Sequence, residues 1–542
     1  MKNVFFLFLA MLLMSCAGDN ISVYNNVVPR PRSVEALNGA PFDCNGTITI
    51  VVDENDARMM KSAVFLADYL EKLVGARPEI NGEGKAIVLG LKELSDGKEA
   101  YEFVVKEDRV EIRGWYAGIF YGIQTLRKAV AGNDGVLPPV EIKDSPAFGY
   151  RGAHLDVSRH FFNVGEVKTY LDMMALHNMN RFHWHISDDQ GWRVEIGRYP
   201  ELTAKGSIRK KTLTGHVHDG TAEFDDRPYG EGFFYTKEQI KEVVEYARDR
   251  YIEIIPEIDL PGHMQAALAT YPELGCTGGP YEVWTTWGVS DDVLCAGNPK
   301  VYEFLDNVFS EIVEMFPFEY VHIGGDECPK VRWQVCPRCQ KKIAGLGYVS
   351  NEYATAENML QAYVMSHVAD FLKEKGRKSI GWDEVLEGGA CGDITVMSWR
   401  GESGGIAAAK LGKDVIMTPY THLYFDYNQC EDFLDREPYG RLGYGVVTLE
   451  SVYGYEPLPA SLSEDEQKHV IGLQANLWTE YVCSFEHVQY QVLPRWAALA
   501  ENQWAHPAEK NYSEFLERLS SSLLKIYDAE EYNYSSIAYD LL

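Results

Sequence analysis

The sequence predicts an α/β protein, a (β/α)8 TIM barrel over residues 145–505 preceded by a small α+β domain over residues 20–143. Eight apolar, strand-like runs alternate with helical stretches across about 360 residues, as expected of parallel strands buried on both faces and joined by helices. Asp, Glu, His and Trp recur at the carboxyl-terminal ends of those runs, which a closed barrel would gather at one mouth. The turn-rich segment KDSPAFGYRG near residue 145 separates this pattern from a different one before it.

Taken in order, residues 1–16 (MKNVFFLFLAMLLMSC) have one Lys, an apolar run and then small or polar residues, the pattern of an export signal. Leu13-Met14-Ser15-Cys16 resembles the lipobox of bacterial lipoproteins, so Cys16 is the expected lipidation site and the cell envelope (periplasm or outer membrane) the expected location. The small domain reads as strands TITIVV, AIVLGL and YEFVVKEDRVEIRG with helices DARMMKSAVFLADYLEKLVG and GIFYGIQTLRKAV. The barrel strands are RGAHLDVS, NRFHWHIS, YIEIIPEIDL, EYVHIGGDE, KSIGWDEV, DITVMSW, DVIMTPYTHLYFD and VIGLQANLWTE. Residues 506–542 are expected to form a helical tail packing on the barrel. Inserts at about 190–235 and 427–465 are rich in Gly, Tyr and charge, as loops rimming a mouth often are. An open doubly wound sheet would also alternate, but no glycine-rich phosphate loop opens it.

Composition narrows the partners. With 51 basic against 80 acidic residues and a formal charge of −29, the chain would repel phosphate backbones. No run after the first sixteen residues is apolar long enough to span a bilayer, so the expected membrane contact is the amino-terminal lipid anchor alone.

An acidic pocket with Trp382, Trp399 and Trp478 at strand ends suits a sugar, because indole faces stack on a pyranose and carboxylates accept from vicinal hydroxyls. Trp496 and Trp504, on the last long helix, read as core. The segments LDVSRHFF, FHWHISDDQGWR, PEIDLPGH, HIGGDE, GWDEV, YFD and LWTE stand in the order and at about the spacing of family 20 glycoside hydrolases, the β-N-acetylhexosaminidases. The sequence resembles that family over roughly 145–505, and the preceding domain is similar to the family's own.

The resemblance implies exo-hydrolysis of terminal β-linked GlcNAc or GalNAc with retention and without a cofactor or metal. The substrate's acetamido oxygen is the nucleophile, an exception to the two-carboxylate scheme. By the same resemblance Glu327 is the general acid/base, its pKa expected to rise toward about 6, and Asp326 holds the acetamido N–H. On a regular strand the two would point to opposite sides; at a strand end they can fan out along the sugar. Arg159 corresponds to the residue holding the 3- and 4-hydroxyls, Glu480 to the 4- and 6-hydroxyl side, and Trp382, Trp399 and Trp478 to the walls. Tyr424 matches a group meeting the acetamido carbonyl and Asp426 one meeting the 6-hydroxyl. Asp188, His185, Asp259 and His263 correspond to the residues that set the charge and position of Glu327. No Trp follows Asp426 where many relatives carry another wall, and Tyr439 is a candidate substitute. A disaccharide-releasing lacto-N-biosidase and a non-catalytic glycan-binding barrel are the alternatives.

Cys336-Pro-Arg-Cys339, with Cys328 before it, reads as a zinc knuckle, a disulfide or free thiols. That stretch offers only three ligands and no His at finger spacing, which counts against a metal. Cys276 and Cys295 flank one loop and are expected to pair as a disulfide.

Overall fold

A computed structural model describes residues 21–540 except 219, 390, 391 and 444; the export segment and Cys16 lie outside the described residues. The amino-terminal unit is a seven-stranded mixed sheet. Its strands are β1 (Ser33–Ala36), β2 (Ile48–Val51), β3 (Glu79–Ile80), β4 (Lys85–Leu91), β5 (Tyr101–Val105), β6 (Arg109–Gly114) and β7 (Val140–Asp144), in the spatial order β1-β7-β5-β6-β4-β2-β3. Helix α1 (Ala57–Val74) starts where the Asp56 carboxylate accepts from the Arg58 and Met59 amides, and stops at left-handed Gly75. Helix α2 (Tyr116–Gly132) is buried at every position from Gly118 to Ala131, because the sheet covers one side and the rest of the protein the other.

Eight parallel strands then close a barrel: β8 (Tyr150–Asp156), β9 (Arg181–His185), β10 (Glu253–Glu257), β11 (Tyr320–His322), β12 (Lys378–Trp382), β13 (Ile394–Ser398), β14 (Val415–Met417) and β15 (Val470–Ala475). Every expected barrel run overlaps one of them. All of β8 is buried, as a strand covered on both faces must be. The lumen is packed with Tyr150, Ile255, Tyr320, Ile380, Trp382, Met397 and Ile416, so the barrel is a core and not a pore.

The two units are joined through buried charge. Arg151, at the start of β8, is fully buried and donates to both oxygens of Glu99 at 2.7 and 2.9 Å, to Tyr121 Oη and to the Phe148 carbonyl. Helical segments over residues 512–529 pack on α2 as well as on the barrel: Arg127 pairs with Glu530, Ser522 donates to the Asn26 carbonyl, and Tyr527 Oη meets His177 Nε2 at 2.6 Å.

The expected Cys276–Cys295 disulfide is not formed, and both are free thiols. Cys295 Sγ lies instead 3.8 Å from Cys336 and 3.6 Å from Cys339, with Cys276 Sγ 3.8 Å from Cys339. A second chain segment thus meets both flanks of the loop, a convergence that spacing along the chain does not encode. The expectation of no metal meets the same four-thiol group.

Candidate active site

Strand β11 ends at His322, and the chain then turns through Gly324 (φ 65°), Gly325 (φ 107°) and Glu327 (φ 45°), all left-handed. The Asp326–Glu327 pair therefore stands on a turn beyond the strand. A Cβ on Gly324 would lie 1.7 Å from Asp259 Oδ1, so only glycine lets the backbone cross that carboxyl. The turn sends the two acids apart. Asp326 is buried, and its Oδ1 is among the buried atoms without a hydrogen-bond partner in the described residues. Burial first, and then Asp259, push its carboxyl well above the usual range. The Glu327 side chain remains 45% exposed at the mouth.

Behind the pair runs a chain of carboxylates and imidazoles. Glu257, at the end of β10, is fully buried and meets His183 Nε2 at 3.0 Å, His322 Nδ1 at 2.8 Å, His185 Nδ1, and the Trp382 indole N–H at 2.9 Å. Burial would raise its pKa, but His322, His185 and His183 outweigh that and hold it well below the usual range. His185 Nε2 donates to Asp188 at 2.8 Å; with a carboxylate on each ring nitrogen its pKa is held well above normal despite burial. Asp188 also accepts from His263 Nδ1 at 3.1 Å and pairs with Arg159 at 2.9 Å. The far nitrogen of His263 stands 3.9 Å from Asp326 and 3.8 Å from Glu327. Burial opposes a charged imidazole there, yet Asp188 and Asp259 hold the His263 pKa well above normal. Asp259 accepts from the Gly325 amide at 3.3 Å, and burial pushes its own pKa up to about 7.

The opposite side of the mouth is aromatic. Trp478 lies 5.9 Å from Trp382 and 6.5 Å from Tyr424, and Tyr424 stacks 6.1 Å from Trp399. The Arg159 guanidinium sits 5.1 Å over Trp478, is fixed by Asp156 at 3.1 Å and Gln190 at 2.9 Å, and reaches Glu480 at 4.0 Å. Asp426 is raised well above the carboxylate range by burial and then by Glu480. Arg159, Asp188, Asp259, His263, Asp326 and Glu327 thus form one connected charged group, while Trp382, Trp399, Trp478 and Tyr424 form one connected aromatic group. Tyr439 stacks on His487 at 3.7 Å and lines, with His160, Leu213, Glu480 and Tyr481, a cavity of about 350 Å³. A larger cavity, about 650 Å³, opens at the strand starts around Tyr150, Arg181 and Tyr320, at the other end of the barrel from these groups.

The sequence places two further acids, Glu257 and Glu384, at strand ends converging on the mouth but gives neither a role. Glu384 accepts from the Trp399 indole at 2.9 Å and is raised to about 8, by burial first and then by Asp326. Glu257, with His183 and His322, anchors the relay. Both acids stand at strand ends, the signal that marked the others, but no sugar contact was assigned to either.

Carboxylates in such unequal surroundings, facing tryptophans at a barrel mouth, are the equipment of a carbohydrate-cleaving barrel enzyme. A sequence profile described as the catalytic domain of glycosyl hydrolase family 20 matches residues 148–507, and one for domain 2 of that family matches residues 24–145. The chain belongs to glycosyl hydrolase family 20. It is 41% identical over 526 residues to a β-hexosaminidase of Porphyromonas gingivalis, covering 94% of this chain but 64% of that protein. It is 31% identical over 511 residues to a β-N-acetylhexosaminidase of Cellulomonas fimi, covering 91% and 92%. The solved β-N-acetylhexosaminidase of Streptomyces coelicolor superposes with a TM-score of 0.79 at 30% identity, over 95% of this chain and 98% of that one. An exo-β-N-acetylglucosaminidase from Vibrio harveyi, solved with N-acetylglucosamine, gives 0.80 at 29% identity over 95% and 78%.

Proposed function

We propose that this glycoside hydrolase removes terminal, non-reducing β-linked GlcNAc or GalNAc from glycans, with retention and with the substrate's acetamido oxygen as nucleophile. The observation that carries the reading is the divergence of Asp326 and Glu327. A buried carboxyl with an unpartnered oxygen is equipped to accept the acetamido N–H, and an exposed one beside it to reach the glycosidic oxygen. Burial disfavours ionised Asp326 in the free enzyme. Positive charge growing on the acetamido nitrogen would offset that cost, so the interaction strengthens toward the transition state, which is the condition for catalysis. Glu327 gives its proton to the leaving oxygen and takes one back from the water that opens the oxazolinium. His263 faces both acids and keeps positive charge within reach as Glu327 ionises. Arg159 and Glu480 receive the ring hydroxyls; Trp382, Trp399, Tyr424 and Trp478 exclude water from the acetamido side.

The Vibrio harveyi neighbour, with N-acetylglucosamine bound, supports the sugar class. The cavity beside Glu480 favours a second reading, release of a disaccharide, because it adjoins the groups assigned to the far end of the sugar. Nitrophenol release from N-acetyl-β-glucosaminide, N-acetyl-β-galactosaminide, lacto-N-bioside and plain β-glucoside separates these. Turnover of the first two with little of the others is expected; comparable turnover of the plain glucoside sinks the substrate-assisted mechanism, and preference for the bioside installs the second reading.

We further propose that the protein is exported and lipid-anchored through Cys16, on the strength of the segment before it. Cys16→Ala should move it from the membrane fraction to the soluble one; an unchanged distribution would refute the anchor.

A further inference from the structure

We propose that Cys276, Cys295, Cys336 and Cys339 form a tetrathiolate site for a structural zinc ion, which ties the loop after β10 to the loop after β11. All four sulfurs lie within 4.8 Å of one another. The separations Cys276–Cys339, Cys295–Cys336 and Cys295–Cys339 are 3.8, 3.8 and 3.6 Å. Tetrahedral zinc with Zn–S of about 2.3 Å requires S···S edges of about 3.8 Å, whereas a disulfide requires about 2.05 Å. The sulfurs are thus arranged as corners of a coordination tetrahedron.

The backbone builds the site from two knuckles. In the first, Gly275 bridges Leu294 antiparallel and the Cys295 amide donates to the Leu274 carbonyl at 2.8 Å, which brings Cys276 and Cys295 together across nineteen residues. In the second, Cys336 and Cys339 present one turn of the helix Pro337–Leu346. The knuckles meet closely: a Cβ on Gly297 would lie 2.2 Å from the Arg338 carbonyl carbon, so a side chain there would force them apart. The Arg338 guanidinium donates to the Gly275 carbonyl at 2.8 Å and the Cys276 carbonyl at 3.3 Å, placing positive charge beside four thiolates. Cys295, Cys336 and Cys339 are buried. Four soft sulfur ligands suit zinc, and a complete set leaves no open position for catalysis. Each thiol passes its proton to solvent as the ion binds.

The site lies under the catalytic loops. The Leu294 amide donates to the Pro261 carbonyl at 3.0 Å, two residues before His263. Trp333, between Glu327 and Cys336, donates its indole N–H to the Leu294 carbonyl at 2.9 Å, and Arg332 pairs with Asp292 at 2.7 Å. Zinc would therefore hold His263 and the acidic pair in register.

Elemental analysis of the purified full chain by mass spectrometry should find about one zinc per chain after gel filtration. Cobalt-loaded protein should show the ligand-field bands of a tetrahedral tetrathiolate. Cys276→Ser and Cys339→Ser should each lose the metal and lower the melting temperature, while Cys483→Ser, at an exposed thiol outside the cluster, should keep both. Metal-free protein, or alkylation under denaturing conditions revealing two disulfides among these four cysteines, would overturn the proposal. Stoichiometric iron in place of zinc would overturn the choice of ion. The elemental and cobalt measurements use the unaltered protein, so they decide the matter even where a variant fails to fold.

Discussion

At the scale of single residues, what distinguishes the carboxyls is their surroundings and not their type. Glu327→Gln removes the proton donor, and turnover of substrates with poor leaving groups should fall about 10²- to 10⁴-fold, with activated aryl glycosides less affected; equal losses on both would remove Glu327 from its role. Asp326→Asn should lower kcat about 10²- to 10³-fold for either kind of leaving group, measured as steady-state rates on an aryl and an alkyl glycoside. Glu384 carries a stability consequence. Its folded pKa is raised from 4.5 to about 8, so between those values the folded state holds a proton that the unfolded state has released. Stability from this group is fully present below the lower value and is lost as pH rises through the upper one. Glu384→Gln should flatten the decline in melting temperature from about pH 5 to about pH 8, leaving the same-signed contributions of Asp189 and Asp259. Identical slopes for the two proteins would exonerate Glu384.

At the scale of elements, the segment EYVHIGGDE was legible as a strand carrying its chemistry at the end, but the strand itself stops at His322. The reason is Asp259, whose carboxyl occupies the space a side chain at 324 would need and receives the Gly325 amide. Gly324→Ala adds a left-handed alanine, costing about 1–2 kcal/mol, and a collision with that carboxyl. It should displace Asp326, lowering kcat more than tenfold by about 1.4 kcal/mol or more of lost transition-state stabilisation, with a small change in KM. Unchanged kcat would mean that the turn does not position the pair. The histidines tell the converse story. His183 and His322 are packed histidines, but His183 also donates to Glu257 and His322 Nδ1, which accepts from the Gly324 amide, stands 2.8 Å from it, so both belong to the relay behind the site.

At the scale of the whole molecule, buried charge bridges the barrel and the smaller sheet. Arg151→Ala would leave Glu99 facing Tyr121 and Asn180 without its cation, and breaking such a pair costs about 3–5 kcal/mol. Denaturant unfolding should show that loss in the midpoint; a change below about 1 kcal/mol would place the junction's strength elsewhere. The tail contributes to the same junction through Arg127–Glu530 and Ser522–Asn26, contacts with the smaller domain that go beyond the packing on the barrel expected from its sequence.

The sequence by itself determined the barrel, the order of its strands and the residues at their ends, because burial on two faces and helical crossovers write a periodicity that any segment displays locally. It also determined the adjacency of Asp326 and Glu327. The tertiary structure alone decided that one of them is sunk and the other exposed, what Glu384 and Glu257 touch in the site, and that Cys276 and Cys295 meet Cys336 and Cys339 as well as each other. These are matters of distance between segments far apart in the chain, and of the dielectric around a carboxyl, and neither is a property of the local sequence.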